Sequence, residues 1–118
     1  MAKNLSVSVL MDFYGGLLTD RQREALELYY NQDFSLAEIA ENMDISRQGV
    51  RDFIKRGEKQ LDEFEAALGL LKRFSEISGE LEKVADGLGE LRKMRLPANA
   101  DALAKELSEI ILKIENDL

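Results

Sequence analysis

The stretch from Ser35 to Lys59, SLAEIAENMDISRQGVRDFIKRGEK, decides the fold because it contains two helix starts separated by one short turn. Ser35 and Glu38 have the spacing of a capping box, in which each side chain accepts a hydrogen bond from the other residue's backbone amide. Ser46 is a favourable cap for a second helix. Only residues 44 and 45 remain between the two predicted helices, and so short a connection predicts a helix-turn-helix motif.

Helical spacing of apolar residues continues on both sides of this motif. It predicts a first helix from Ser6 to Leu18 and a second one that starts at a capping box of Thr19 and Gln22 and runs to about residue 30. The second motif helix has no stop signal for a long way, and we expect it to continue as a connector to a break or kink at Ser78 and Gly79. The motif therefore lies between supporting helices.

The C-terminal half also has helical periodicity. Leucine and valine at a/d spacing cover two heptads from Leu81 to Leu91, and the Leu96–Pro97 pair then predicts a boundary. A final amphipathic helix follows, with Asn99 as its expected cap. Because no strand-like alternation appears, we predict an all-α protein with a helix-turn-helix domain at residues 1–61 and a C-terminal helical extension at residues 62–118.

The apolar face of these C-terminal helices is richer than a single short helix needs. One interpretation is that the helices fold back on one another or on the N-terminal bundle. The other is a homodimer, in which the faces after Leu61 pair between two chains and set two recognition helices apart. Two heptads do not decide between these interpretations.

Composition excludes most catalytic chemistry. The 118 residues include no cysteine and no histidine, so thiolate zinc sites, disulfides and the usual general base are absent from the sequence. There is no glycine-rich phosphate loop, and we predict neither an enzyme nor a cofactor. Neither a membrane span nor a secretory leader is apparent, so we expect a cytoplasmic location.

Charge is distributed unevenly along an acidic chain of net charge -7. The segment from Arg47 to Lys59 has five basic residues against two acidic ones, which makes it the place on the chain that would attract nucleic acid. The predicted nucleic-acid-binding residues on the outer face of the second motif helix are Arg47, Gln48, Arg51, Lys55 and Lys59. Arg47 and Gln48 lie in the first turn, where side chains reach base edges, and the two lysines are placed to contact phosphates.

Two other interpretations of this basic face remain open. It is a solvated helix face if Asp52 pairs with Arg56 at helical i, i+4 spacing. The motif is a protein-binding surface if the acidic body attracts a basic partner. RNA binding has less support, because no aromatic platform accompanies the basic residues.

Two segments carry a resemblance to known proteins. They are FYGGLLTDRQREALELYY at residues 13–30 and FSLAEIAENMDISRQGVRDFIKRGEKQL at residues 34–61. The pattern resembles region 4 of bacterial sigma factors and, more closely, the YlxM family of small bacterial helix-turn-helix proteins. Glycine is frequent in that family where this chain has Asp44, a residue that also tolerates a left-handed turn.

The resemblance implies a regulatory role connected with the signal recognition particle pathway, since family members are typically encoded beside the particle's GTPase subunit. It makes that GTPase and the particle's RNA possible partners. Duplex DNA is a possible partner of the basic face, and a second copy of the chain is the partner expected from the apolar faces after Leu61. The alternative is a sequence-specific DNA-binding transcriptional regulator that acts as a homodimer.

Overall fold

The computed structural model describes residues 6–118, which form six α-helices and no strand. The helices are α1 (Ser6–Tyr14), α2 (Asp20–Leu26), α3 (Leu36–Met43), α4 (Arg47–Leu68), α5 (Leu70–Arg92) and α6 (Ala98–Asp117). A 3-10 turn, Gly15–Leu17, follows α1, and a π-helical turn, Glu27–Asn31, continues α2. The all-α prediction with a helix-turn-helix bundle, a long connecting helix and C-terminal helices is confirmed.

Helices α1 to α4 share one hydrophobic core. Its fully buried large side chains are Tyr14, Leu26, Ile39, Val50, Ile54 and Leu61, which come from all four helices. Helix α4 contacts each of the other three and therefore forms the centre of the bundle. The predicted first helix reached Leu18, but the α-helix ends at Tyr14 and a 3-10 turn follows, in which Leu17 is exposed.

The predicted helix starts are confirmed by their hydrogen bonds. The hydroxyl of Ser35 accepts from the Glu38 amide at 3.1 Å, and the Ser35 amide donates to the Glu38 carboxylate at 2.9 Å. The backbone bond from Ser35 lowers the pKa of Glu38, because it stabilises the carboxylate form. Thr19 and Gln22 form the second capping box, and Ser46 accepts from the Gly49 amide at 3.0 Å.

The turn between α3 and α4 depends on Asp44. This residue caps α3 in the left-handed conformation, with φ of 55° and ψ of 48°. The following amide of Ile45 donates to the Ala40 carbonyl at 3.0 Å, which satisfies one of the last free carbonyls of α3. The motif thus closes with aspartate at a position that often requires glycine.

Gly57 lets α4 cross close to α2. A Cβ atom built on Gly57 would lie 2.6 Å from Leu26 Cδ1 and 3.2 Å from Leu26 Cγ, both inside van der Waals contact. Leu26 is fully buried, so its side chain has little space in which to move. The absence of a side chain at position 57 therefore sets the separation of these two helices.

Helix α4 extends beyond the motif, as predicted, but it ends earlier than expected. Gly69 has φ of 62° and terminates α4, whereas α5 continues without a break through Ser78 and Gly79. The free amides at the start of α5 explain the position of this break. The Leu70 amide donates to the Tyr14 hydroxyl and the Leu71 amide donates to the Glu65 carboxylate, both at 3.0 Å.

Tyr14 also donates to the Glu65 carboxylate at 2.5 Å, which joins α1 to the end of α4. Its side chain is 1% exposed, and burial together with the hydrogen bond to Glu65 raises the pKa of Tyr14. The hydroxyl group therefore stays protonated and keeps donating to the carboxylate well above neutral pH. This network fixes the end of α4 against the core.

The described residues divide into two compact units, with the division between Leu71 and Lys72. In the second unit, α6 begins at Ala98, directly after Pro97, so the predicted boundary at Leu96–Pro97 is confirmed. Asn99 is not the cap of α6. It lies in the first turn, where its side chain accepts a hydrogen bond from the Ala100 amide at 3.0 Å. The domain division after residue 61 stays a prediction.

Candidate nucleic-acid interface

The five predicted binding residues lie on α4 and all five are exposed. They are Arg47, Gln48, Arg51, Lys55 and Lys59, and we call them the α4 face. The four basic members are four residues apart, so the row is about 18 Å long at a rise of about 1.5 Å per residue. An α-helix with such a row has the dimensions to follow the major groove of duplex DNA.

The opposite side of α4 explains why this face points outward. Val50, Ile54, Gly57 and Leu61 recur at helical spacing and are all buried in the bundle. Burial of this stripe fixes the rotation of the helix about its own axis. The Ser46 cap and the short turn at Asp44 fix its N-terminus, so the first turn of α4 projects from a rigid support.

The basic side chains of the α4 face have no acidic partner within the described residues. No carboxylate of residues 6–118 lies within 4.0 Å of the charged groups of Arg47, Arg51, Lys55 or Lys59. The solvated-face interpretation requires an ion pair between Asp52 and Arg56, and Asp52 does not form it. It accepts a hydrogen bond from Gln48 Nε2 at 3.2 Å instead, which orients the Gln48 amide along the helix. The cations remain available to an external anion.

Arg56 is a further exposed cation of α4 that was not among the five predicted binding residues. It lines an open groove of about 190 Å³ with Gln22, Lys59, Gln60 and Glu63. Gln22 belongs to the first turn of α2, so the groove lies where α2 and α4 meet. Its position extends the basic surface from the α4 face towards α2.

Acidic residues limit this basic surface on two sides. Glu38 and Glu41 on α3 and Asp44 in the turn are exposed. Asp62 and Glu63 follow the basic row on α4 and are exposed too. In a helix-turn-helix complex the first motif helix crosses the phosphate backbone, so carboxylates on α3 weaken the attraction to DNA. Any attraction of this surface for a phosphate backbone would therefore be confined to the first four turns of α4.

Arg21 has a structural role in the bundle. Its Nη2 atom donates to the Met43 carbonyl at 3.2 Å, and its guanidinium group lies 5.9 Å from the centroid of the Phe53 ring. Met43 is the last residue of α3, and a cation at a helix C-terminus is favourable. Arg21 therefore joins α2 to both motif helices and is already engaged.

No group of three or more potential metal ligands is found among residues 6–118. In the same residues, no helix is both long enough and apolar enough to cross a membrane.

Comparison with known proteins agrees with this architecture. Residues 1–96 match the family model UPF0122, whose description is "Putative helix-turn-helix protein, YlxM / p13 like". A UPF0122 protein of Thermoanaerobacter sp. is 46% identical over 112 residues, which cover 92% of this chain and 96% of that protein. One from Acetivibrio thermocellus is 42% identical over 115 residues, covering 98% and 96%.

A UPF0122 protein of Geobacillus kaustophilus is 39% identical over 110 residues, which cover 93% of this chain and 98% of that protein. The family is described by its helix-turn-helix motif and not by a catalytic activity. The match covers the whole four-helix bundle and all of α5. The chain belongs to the UPF0122 family of YlxM / p13-like helix-turn-helix proteins.

Proposed function

We propose that this protein is a regulatory helix-turn-helix protein of the signal recognition particle pathway that contacts nucleic acid through the α4 face. The observation that supports nucleic-acid binding best is the row of exposed cations on α4 without an acidic partner among residues 6–118. Cations of this kind release counterions from a phosphate backbone, which is the main source of affinity in such complexes. The role in the pathway follows from the resemblance to the YlxM family.

The residues of the α4 face have different roles in binding, which depend on their position along the helix. Arg47 and Gln48 lie in the first turn, where an arginine recognises guanine and a glutamine recognises adenine. Arg51 reaches a base or a phosphate. Lys55 and Lys59 contact phosphates, since they lie two and three turns further from the N-terminus. In the free protein the hydrogen bond to Asp52 orients the Gln48 side chain. On binding, Gln48 exchanges this hydrogen bond for one to a base.

Contact with a protein partner accompanies this binding. The exposed carboxylates of Glu38, Glu41 and Asp44 lie on the first motif helix and in the turn, where they oppose a phosphate backbone but attract a basic protein surface. The GTPase subunit of the signal recognition particle is the partner that the family resemblance suggests. In this function nucleic-acid contact is modest, protein contact is the stronger interaction, and the protein acts in the cytoplasm.

A second candidate function is sequence-specific transcriptional regulation by a homodimer. Its support is the placement of Arg47 and Gln48, two residue types that read bases, at the exposed start of α4. A homodimer would present two such helices to a palindromic site.

One titration series separates these functions. The full-length protein is titrated against duplex DNA, the RNA of the signal recognition particle and the GTPase subunit of the particle at the same ionic strength. We expect binding to the GTPase and weaker, salt-sensitive binding to nucleic acid. Nanomolar, sequence-specific binding to DNA at physiological salt would favour the second candidate, and binding to none of the three would refute the proposal.

A matched pair of variants assigns the binding to α4. Lys55→Ala removes a cation from the α4 face, and Lys105→Ala removes one from an exposed position of α6. Both change the net charge by the same amount. We expect only Lys55→Ala to weaken nucleic-acid binding. Equal weakening by both variants would show that general charge, and not the α4 face, causes the binding.

A further inference from the structure

Helices α5 and α6 lack a buried core of their own. Among the 23 residues of α5 none is buried, and among the 20 residues of α6 only Ala104 is buried. Helices in water gain most of their stability from the burial of an apolar face. Helix α5 also contains three interior glycines, Gly79, Gly87 and Gly89, which disfavour an isolated helix. These helices therefore need a surface to pack against.

The uninterrupted course of α5 extends the heptad repeat of Leu81 to Leu91 towards the N-terminus of the helix. Because the helix passes through Gly79, its apolar residues stay in one heptad frame, in which Phe74, Leu81 and Leu88 take the a positions and Ile77, Val84 and Leu91 the d positions. Leu70 occupies the preceding d position. The repeat thus covers three heptads, a length typical of helices that associate.

The two kinds of position differ in exposure. The a residues are half-buried, whereas the d residues Ile77, Val84 and Leu91 are 40–48% exposed. Helix α6 has a comparable stripe, formed by Leu103, Leu107, Ile110 and Ile114, which are 40–55% exposed. We call the three d residues of α5 and the four residues of α6 together the C-terminal seam.

We propose that the C-terminal seam is the contact surface for a second copy of this chain, and that two copies bury it together in a helical bundle. Seven large side chains with this exposure amount to on the order of 500 Å² of apolar surface, near the upper end of the roughly 300–600 Å² of the largest patch on a typical monomer. A stable interface buries about 800 Å² per partner, so the C-terminal seam alone supplies more than half of that area.

The occupant is a second copy because the seam complements itself. In a two-fold symmetric pair each chain contributes the same stripe, and heptad stripes of equal length and spacing interdigitate as knobs into holes. The b positions of α5 are Ser75, Glu82 and Gly89, which are exposed and small or polar, so the helix has one apolar side only. Association through the seam does not depend on what the α4 face binds.

The test measures the mass of the full-length protein by sedimentation equilibrium between about 1 and 100 μM, a range in which ordinary protein dimers dissociate and form. We expect the wild type to be a dimer. Ile77→Glu with Val84→Glu places two charges in the seam and should give a monomer. The matched control, Ser75→Glu with Gly89→Glu, adds the same charge at b positions of the same helix and should stay dimeric.

A second double variant with smaller changes keeps the test valid if the charged variant fails to fold. Ile77→Ala with Val84→Ala adds no charge and favours helix, and it should raise the dissociation constant about tenfold or more through lost apolar contact. A wild type that stays monomeric at every concentration would overturn the proposal. So would a dimer that tolerates both seam variants, because its interface would then lie elsewhere. Nucleic-acid binding by a monomeric seam variant would leave the proposed function intact.

Discussion

Replacement of Gly57 by alanine tests the packing that presents the α4 face. A Cβ atom at this position would lie 2.6 Å from Leu26 Cδ1 and 3.2 Å from Leu26 Cγ. Ordinary carbon contacts begin near 3.5 Å. Either the Leu26 side chain leaves its position in the core, or α4 moves away from α2 by on the order of 1 Å.

The expected loss of stability follows from two opposing effects. Overpacking of a core position costs about 1–3 kcal/mol. Alanine favours the helix over glycine by about 1 kcal/mol. We therefore expect Gly57→Ala to lower the free energy of unfolding by roughly 0–2 kcal/mol, where a substitution free of steric conflict would raise it.

The matched control is Gly49→Ala on the same helix. Its Cβ atom would lie 3.3 Å from Ser46 Oγ and 3.6 Å from Ile45 Cδ1, so the neighbours need to move by only a few tenths of an ångström. In denaturant unfolding followed by circular dichroism, we expect Gly57→Ala to be less stable than Gly49→Ala by about 1–3 kcal/mol.

A double-mutant cycle identifies the cause of that difference. Leu26→Val removes the Cδ atoms of Leu26, so Gly57→Ala should cost less in the Leu26→Val background than in the wild type. If Gly57→Ala stabilises the protein as much as Gly49→Ala, or if the two changes at positions 26 and 57 are additive, the close approach of α2 and α4 is refuted.

Three further predictions concern the caps and the α4 face. Ser46→Ala should lower the free energy of unfolding by about 0.5–2 kcal/mol in chemical denaturation, because the Gly49 amide loses its acceptor, and an unchanged midpoint would contradict this. The pKa of Glu38 is lowered in the folded state, so its stabilising contribution is present above the pKa of the unfolded chain and is lost as the pH falls through the folded value. The free energy of unfolding, measured by denaturation at a series of acidic pH values, should therefore fall less steeply with falling pH for Glu38→Gln than for the wild type. Gln48→Ala should reduce discrimination between DNA sequences in competition binding with little change in non-specific affinity, since only its first-turn position gives it access to bases.

Local sequence signals predicted the helix-turn-helix correctly because short-range hydrogen bonds determine its helix starts. Ser35 bonds to Glu38, and Ser46 to the Gly49 amide, across three residues each. The left-handed turn at Asp44 follows equally from a residue type that tolerates it. All of these features involve residues close together in sequence, so residue types and their spacing are enough to predict them.

The end of α4 was predicted wrongly because its cause is not local. Gly69 and Gly79 are both glycines within a long apolar repeat, and Ser78 beside Gly79 made the second one the stronger turn signal. Helix α4 ends at Gly69, where the side chains of Tyr14 and Glu65 accept hydrogen bonds from the first amides of α5. Tyr14 lies 56 residues from Leu70 in sequence, so no window of local sequence contains this contact.

The candidate site was predicted only in part. Helical periodicity placed Arg47, Gln48, Arg51, Lys55 and Lys59 on one side of a helix, and the structure shows all of them exposed. The role of Asp52 depended on side-chain geometry, because Gln48 and Arg56 are both four residues away and only Gln48 bonds to it. Arg56 was not among the predicted binding residues, although its exposed position extends the basic surface.

The salt dependence of nucleic-acid binding tests the central claim most directly. Association of the full-length protein with duplex DNA and with the RNA of the signal recognition particle is measured across a range of salt concentrations, for the wild type and for the variant with Lys55→Ala and Lys59→Ala. We predict that the logarithm of the association constant falls linearly with the logarithm of salt concentration, and that the double variant loses about two counterions from the slope on duplex DNA. A slope that is unchanged in the variant, or no detectable binding even at low salt, would contradict the assignment of the α4 face as a nucleic-acid interface.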